Sequence, residues 1–131
     1  MAAIKRFEDL IAWQKSRMIC KNIHAYSKRG EFAKDFKFRD QIRSASGSVM
    51  DNIAEGFGRK GNQEFKNFLT IANGSLMEVK SQLFRAHDQQ YITDVELEET
   101  LDLIEETGKI IHALIIYLGK SDHRGIKFNN E

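Results

Sequence analysis

Apolar residues recur along this chain at spacings of three and four, and the recurrence lapses in three short glycine- or polar-rich stretches, so the pattern predicts four amphipathic helices. The first is predicted from about Asp9 to Arg29, with Leu10, Ile11, Trp13, Met18, Ile19, Ile23 and Tyr26 on its apolar face and Gly30 just past its end. The second begins near Lys34 and reaches Gly56, carrying Phe38, Ile42, Ala45, Val49 and Ile53 on one side. The third spans about Asn62 to Gln89, with Asn62 as its expected N-cap and Phe65, Phe68, Leu69, Ala72, Leu76, Val79 and Leu83 in line; Gly74 interrupts it without ending it. The fourth opens at Thr93-Asp94-Val95-Glu96, a capping box in which the Thr and Glu side chains each satisfy an orphan backbone donor. Leu97, Leu101, Ile104, Gly108, Ile111, Ile115 and Leu118 then alternate four-three to the end.

Short connections between helices of similar length favour an antiparallel up-down-up-down four-helix bundle, an all-α fold over residues 1–119, with the polar segment 120–131 read as a loose tail. Beside its main stripe the fourth helix carries a further apolar line, Leu103, Ile110, Leu114 and Tyr117, more than one monomeric bundle needs. These four residues are the expected oligomer interface, a wide monomer core being the alternative.

Composition supports the helices. There is no proline in 131 residues, and an interior proline would cost a helix about 3 kcal/mol. Cys20 is the one cysteine, which rules out an intrachain disulfide and reads as a small buried hydrophobe. Neither a signal peptide nor a membrane span is legible, and a cytoplasmic protein is expected.

Net charge is +1, but its distribution is uneven: residues 1–43 hold eleven Lys and Arg against five Asp and Glu, and residues 86–119 hold one against eight. Arg17, Lys21, His24 and Lys28 form one cationic stripe on the first helix, and Lys34, Lys37, Arg39 and Arg43 follow it. A stripe of this kind can track a phosphate backbone with salt-dependent affinity. Glu98, Asp102 and Glu105 form an acidic stripe on the fourth helix, so a solvated face, pairing between helices or subunits, and nucleic-acid contact all fit the pattern.

Gly56-Phe57-Gly58-Arg59-Lys60-Gly61 matches the dinucleotide fingerprint G-x-G-x-x-G in letters only, because that fingerprint needs a preceding strand and here a helix precedes it. Its glycines are expected to take positive φ and reverse the chain, and Arg59 and Lys60 beside them can hold a phosphate. No His has a Glu three residues before it, which leaves no di-iron signature and no expected metal or cofactor. Glu55 and Glu78 lack the nucleophile and base arrangement that hydrolysis requires, so a non-catalytic protein is expected. Ser44, Ser46, Gly47 and Ser48 read as small residues that let helices approach.

Phe7-Glu8-Asp9-Leu10 with Trp13-Gln14, Gln41-Ile42-Arg43, Asn52-Ile53-Ala54-Glu55-Gly56, Gly58-Arg59, Glu64-Phe65, Phe68-Leu69, Ile71-Ala72, Gly74-Ser75 and Glu78 together resemble the bacterial four-helix-bundle family named for 23S rRNA intervening sequences. The likeness covers roughly residues 4 to 119. It implies a left-handed up-and-down bundle assembling as a homopentameric ring, similar to the accessory protein of diversity-generating retroelements, whose ring binds nucleic acid and a reverse transcriptase. It also implies a polar network of Gln41, Asn52, Glu55, Ser75 and Glu78, with Arg43 and Arg59 beside it. The expected nucleic-acid contacts are Arg17, Lys21, Lys28, Lys37, Arg43, Arg59 and Lys60, with RNA or DNA as partner. A scaffold that recruits another protein is the alternative.

Overall fold

The computed structural model describes residues 4–120, and the described residues are all-α. A single 3-10 turn at Phe7–Asp9 leads into α1 (Ile11–Ser27), the short α2 (Gly30–Lys34), α3 (Phe36–Gly58), α4 (Asn62–Asp88) and α5 (Asp94–Lys120). Both α1 and α4 pack against α3 and α5, so the four long helices share one core. Its centre is aliphatic: Ile19 and Ile23, Ile42 and Ile53, Leu69, Leu76 and Leu83, and Ile104, Ile111 and Leu118 are all fully buried.

The periodic faces of the second and third predicted helices pack as expected, with Phe38, Ile42, Ala45, Val49 and Ile53 buried on α3. The capping box also forms, with Glu96 Oε1 accepting from the Thr93 amide at 3.0 Å and Thr93 Oγ1 accepting from the Glu96 amide at 3.1 Å. The first helix departs from its predicted face. Ile11 and Met18 are exposed, and Ala12 and Ser16 take their places inside, the Ser16 hydroxyl satisfied by the Ala12 carbonyl at 2.7 Å.

Four local expectations are corrected. Gly30 does not simply follow the first helix: with φ of +47° it opens α2, a turn of helix inserted before the predicted second helix. That turn places Phe32 at one end of the core, stacked on Tyr91 (centroids 4.9 Å apart) and Phe38 (5.6 Å). Asp35 then starts α3 by accepting from the Phe38 amide, and its other oxygen accepts from the Tyr91 hydroxyl at 2.7 Å.

The second correction concerns the glycine motif. Gly56 and Gly58 lie inside α3, and Lys60, at φ 67°, takes the left-handed position that reverses the chain. What requires glycine at position 56 is space: a Cβ there would stand 2.5 Å from Phe68 Cβ and 3.1 Å from Phe65 Cδ1. Third, Asn62 is not the N-cap of α4. Gly61 holds that position, and the Asn62 amide reaches across to the Leu118 carbonyl at 3.3 Å. Lys120, assigned to the tail, is the last residue of α5, and the rest of the predicted tail, 121–131, lies outside the described residues.

Candidate nucleic-acid interface and polar groove

The cationic and acidic stripes do not face each other. The ion pairs that reach α5 from α1 and the turn after it are made by Lys15, 3.3 Å from Glu106, and by Arg29, whose guanidinium holds both Glu96 oxygens at 2.6 and 2.8 Å. Those bonds draw the Glu96 carboxyl well below its ordinary range, to about 2. Because Lys15 and Arg29 fix the flank that α1 turns toward α5, Arg17, Lys21, His24 and Lys28 fall on the opposite, exposed side. Among the described residues, none of these four lies within 4 Å of a carboxylate.

At the N-terminal end of the stripe, a cleft of about 420 Å³ is lined by Arg6, Glu8, Trp13, Gln14, Arg17, Met18 and Lys21. The Trp13 ring is partly buried. It packs edge-on against Phe7 at 5.2 Å, and the Arg17 guanidinium lies 5.7 Å from its centroid. The sequence reading missed this cleft; its signal was Arg17 one helical turn after Trp13.

The remaining predicted cations scatter. Arg43 is partly buried and donates to Ser27 Oγ at 2.7 Å, tying α3 to α1. Arg59 pairs with Glu55 at 2.8 Å and lies over the Phe68 ring, beside exposed Lys60. Lys37 lines the groove between α3 and α4, on a different surface from the α1 stripe.

That groove gathers most of the predicted polar network. Gln41, Ser75 and Glu78 line a cleft of about 540 Å³ together with Lys37, Asp40, Ser44 and Ser48. The Ser48 and Ser75 hydroxyls lie 2.9 Å apart, and the Asn52 amide donates to the Ser48 carbonyl and hydroxyl at 2.8 and 2.9 Å. Glu78 accepts from Gln82 at 3.4 Å, and the buried Gln82 Oε1 finds no partner among the described residues. Glu55 stands apart with Arg59. Lys37 and Gln41 are shared with a neighbouring cleft of about 490 Å³, where Arg85 lies over buried Phe38 at 4.7 Å.

Of the expected interface residues, Leu103, Ile110 and Leu114 are partly buried against the core, and Tyr117 is 40% exposed. They share the flank of α5 that carries Glu106, the partner of Lys15. Ile11 and Met18 sit four before and three after Lys15, so exposed apolar residues edge the same seam from α1.

Cys20 is partly buried, its thiol donating to the Ser46 carbonyl at 3.1 Å, and burial pushes its pKa up, which keeps it a protonated packing group. Among the described residues no group of three His, Cys, Asp or Glu side chains is placed to hold a metal, and no helix is long and apolar enough to cross a membrane.

A family model described as 23S rRNA-intervening sequence protein matches residues 8–113. In fold, the chain is similar to the crystal structure of a protein of unknown function from the S23 ribosomal protein family of Bacteroides thetaiotaomicron, at a TM-score of 0.73 and 23% identity, with 81% of this chain and 96% of that chain covered. No curated protein matches at a significant level.

Proposed function

From the premise that the chain belongs to the 23S rRNA-intervening sequence protein family, we propose that it is a cytoplasmic, non-catalytic, ring-forming accessory protein, with five subunits, that associates with RNA or DNA through the outward face of α1. The observation that carries this reading is the stripe of Arg17, Lys21 and Lys28, exposed and unpaired while Lys15 and Arg29 engage the carboxylates of α5. Cations that no carboxylate neutralises are free to replace the counterions of a phosphate backbone, which gives salt-dependent and largely sequence-independent affinity.

The bundle part of the proposal is an up-down-up-down chain path, and the pairing of residues between the helices supports it. Contacts run in opposite directions along paired helices: Lys15 to Glu106 and Arg29 to Glu96, Ser48 to Ser75 and Gly56 to Phe68, Asn62 to Leu118 and Lys80 to Glu105. The ring is supported by the apolar rim of the α1–α5 seam, where Ile11, Met18 and Tyr117 are exposed.

A second reading, a scaffold that recruits another protein without nucleic acid, is favoured by the α3–α4 groove. Its lining mixes donors and acceptors, and Gln82 Oε1 beside Glu78 is buried without a bond.

Light-scattering mass of the purified protein, with absorbance at 260 and 280 nm across the same peak, tests the proposal. A five-subunit mass carrying excess 260 nm absorbance that high salt removes is expected. Changing Arg17, Lys21 and Lys28 together to Glu is expected to abolish that excess while leaving the mass unchanged. A monomer overturns the ring, and a pentamer whose nucleic-acid retention ignores the triple change overturns the α1 face and favours the scaffold.

A further inference from the structure

Five arginines lie over aromatic rings in the described residues, and they differ in whether the pair is available to a ligand. Arg29, Arg39 and Arg59 are each bound to a carboxylate, on Glu96, Asp40 and Glu55. Arg85 lies over Phe38, a ring that is itself buried. Arg17 over Trp13 combines a cation without a carboxylate and a ring that borders a cleft.

We propose that this cleft seats one unpaired nucleotide, its base stacked on Trp13 and its flanking phosphates held by Arg17 and Lys21, so that the α1 face selects single strands over duplex. The inference rests on the nucleic-acid reading and names the form of nucleic acid that the face takes.

Three observations carry it. First, Phe7 meets the indole at an interplanar angle of 64° with centroids 5.2 Å apart, a T-shaped contact that orients the ring, and the place over the ring is one that a planar group can take. Arg17 already occupies such a position, and a base can slide between guanidinium and indole or displace the guanidinium onto a phosphate. Second, the charge of the lining suits an anion. Arg6 is largely answered by Asp9 at 3.3 Å and Glu8 at 4.0 Å, whereas Arg17 and Lys21 are unanswered.

Third, the layout is that of a strand track. Arg17 to Lys28 is a straight run of about 16 Å at 1.5 Å per residue, with the aromatic cleft at one end. In a duplex the base faces are stacked inside, and Trp13 would meet only groove edges or sugar; an unpaired base offers its whole face.

Trp13 is the one tryptophan in the chain, so its fluorescence reports this cleft without labelling. The full-length protein would be titrated at low salt with an unstructured RNA strand of about 12 nucleotides, within the site size of such grooves, and with the duplex of that strand and its complement. The expected result is quenching of Trp13 by the single strand only, with affinity for it about tenfold above that for the duplex. Trp13→Leu is expected to erase that preference by weakening strand binding about tenfold, while Trp13→Phe keeps most of it. Should the Leu variant fold poorly, quenching and protection of the wild-type indole from acrylamide decide the matter. Binding of strand and duplex alike without quenching, or a Trp13→Leu variant that retains the preference, overturns the stacking site and leaves the basic face standing. If neither form binds, both readings fall together.

Discussion

The α3–α4 seam and the α1–α5 seam close the same core by opposite means. Along α3 and α4 the helices meet through small groups: Gly56 lies against Phe68 and Phe65, and two serine hydroxyls meet at 2.9 Å. Along α1 and α5 the span is made by longer side chains, with Lys15 reaching Glu106, Tyr26 and Asn22 reaching Thr100, and Arg29 reaching Glu96. Backbone proximity leaves no room for substitution and exposes a polar groove. Bridging side chains tolerate change, and Ile11, Met18 and Tyr117 stand exposed on their outer flanks. The two surfaces therefore differ in kind, a polar groove on one and an exposed apolar rim on the other.

The strongest way to break this contrast is Gly56→Ala. The added methyl would stand 2.5 Å from Phe68 Cβ, an atom fixed to its backbone, so no rotamer change relieves the clash and α3 must move off α4. A loss of about 3 kcal/mol is expected in urea unfolding followed by circular dichroism. A variant as stable as wild type would mean that the seam is not set by backbone proximity.

The α1–α5 seam has a different weakness, which is acid. The Arg29 guanidinium first of all, with the Thr93 amide and hydroxyl, lowers the Glu96 carboxyl in the folded chain from its ordinary 4.5 to about 2. The unfolded chain then takes up this proton before the folded one does, so the stabilisation is complete above about pH 4.5 and is lost as pH falls toward 2. Arg29 is half exposed and screened by solvent, which limits the effect to about 1 kcal/mol. Glu96→Gln is expected to cost about that much at neutral pH and to flatten the slope of stability between pH 4.5 and 2, measured by denaturant midpoints across that range. An unchanged slope would remove Glu96 as the acid-sensitive group of this seam.

The parts of this molecule legible in its sequence are those written in local periodicity and capping. The faces of α3 and α4 and the Thr93–Glu96 box depend on residues three and four apart, and they fold as read. What escaped depends on contacts distant in sequence. Five residues of α2 show no period, and their place is set by Phe32 stacking on Tyr91. Gly56 looked like a turn former, and only the presence of Phe68 across the seam reveals its role; Asn62 looked like a cap and is drawn away by the Leu118 carbonyl.

The candidate site was half legible for the same reason. The spacing of Arg17, Lys21 and Lys28 put them on one stripe, but the direction of that stripe depends on how α1 is rotated, and a stripe mixing exposed Ile11 and Met18 with buried Ala12 and Ser16 left that rotation open. Lys15 and Arg29, in contact with α5, fix it.

At a second glycine of this seam the same substitution should have the opposite sign. Gly74 lies in the middle of α4, one residue before Ser75, yet it is exposed and a Cβ there would meet nothing within 4 Å. It therefore contributes only the conformational entropy that glycine loses in a helix, about 0.5–1 kcal/mol relative to alanine. Gly74→Ala is expected to stabilise the fold by that amount, read as a rise in denaturant midpoint at constant m-value. Because Gly56→Ala and Gly74→Ala add the same methyl to helices of the same seam, helix propensity alone would make both stabilising. A destabilised Gly74→Ala protein would show that the outward side of α4 is packed against something, and in an assembled ring that something would be a neighbouring subunit.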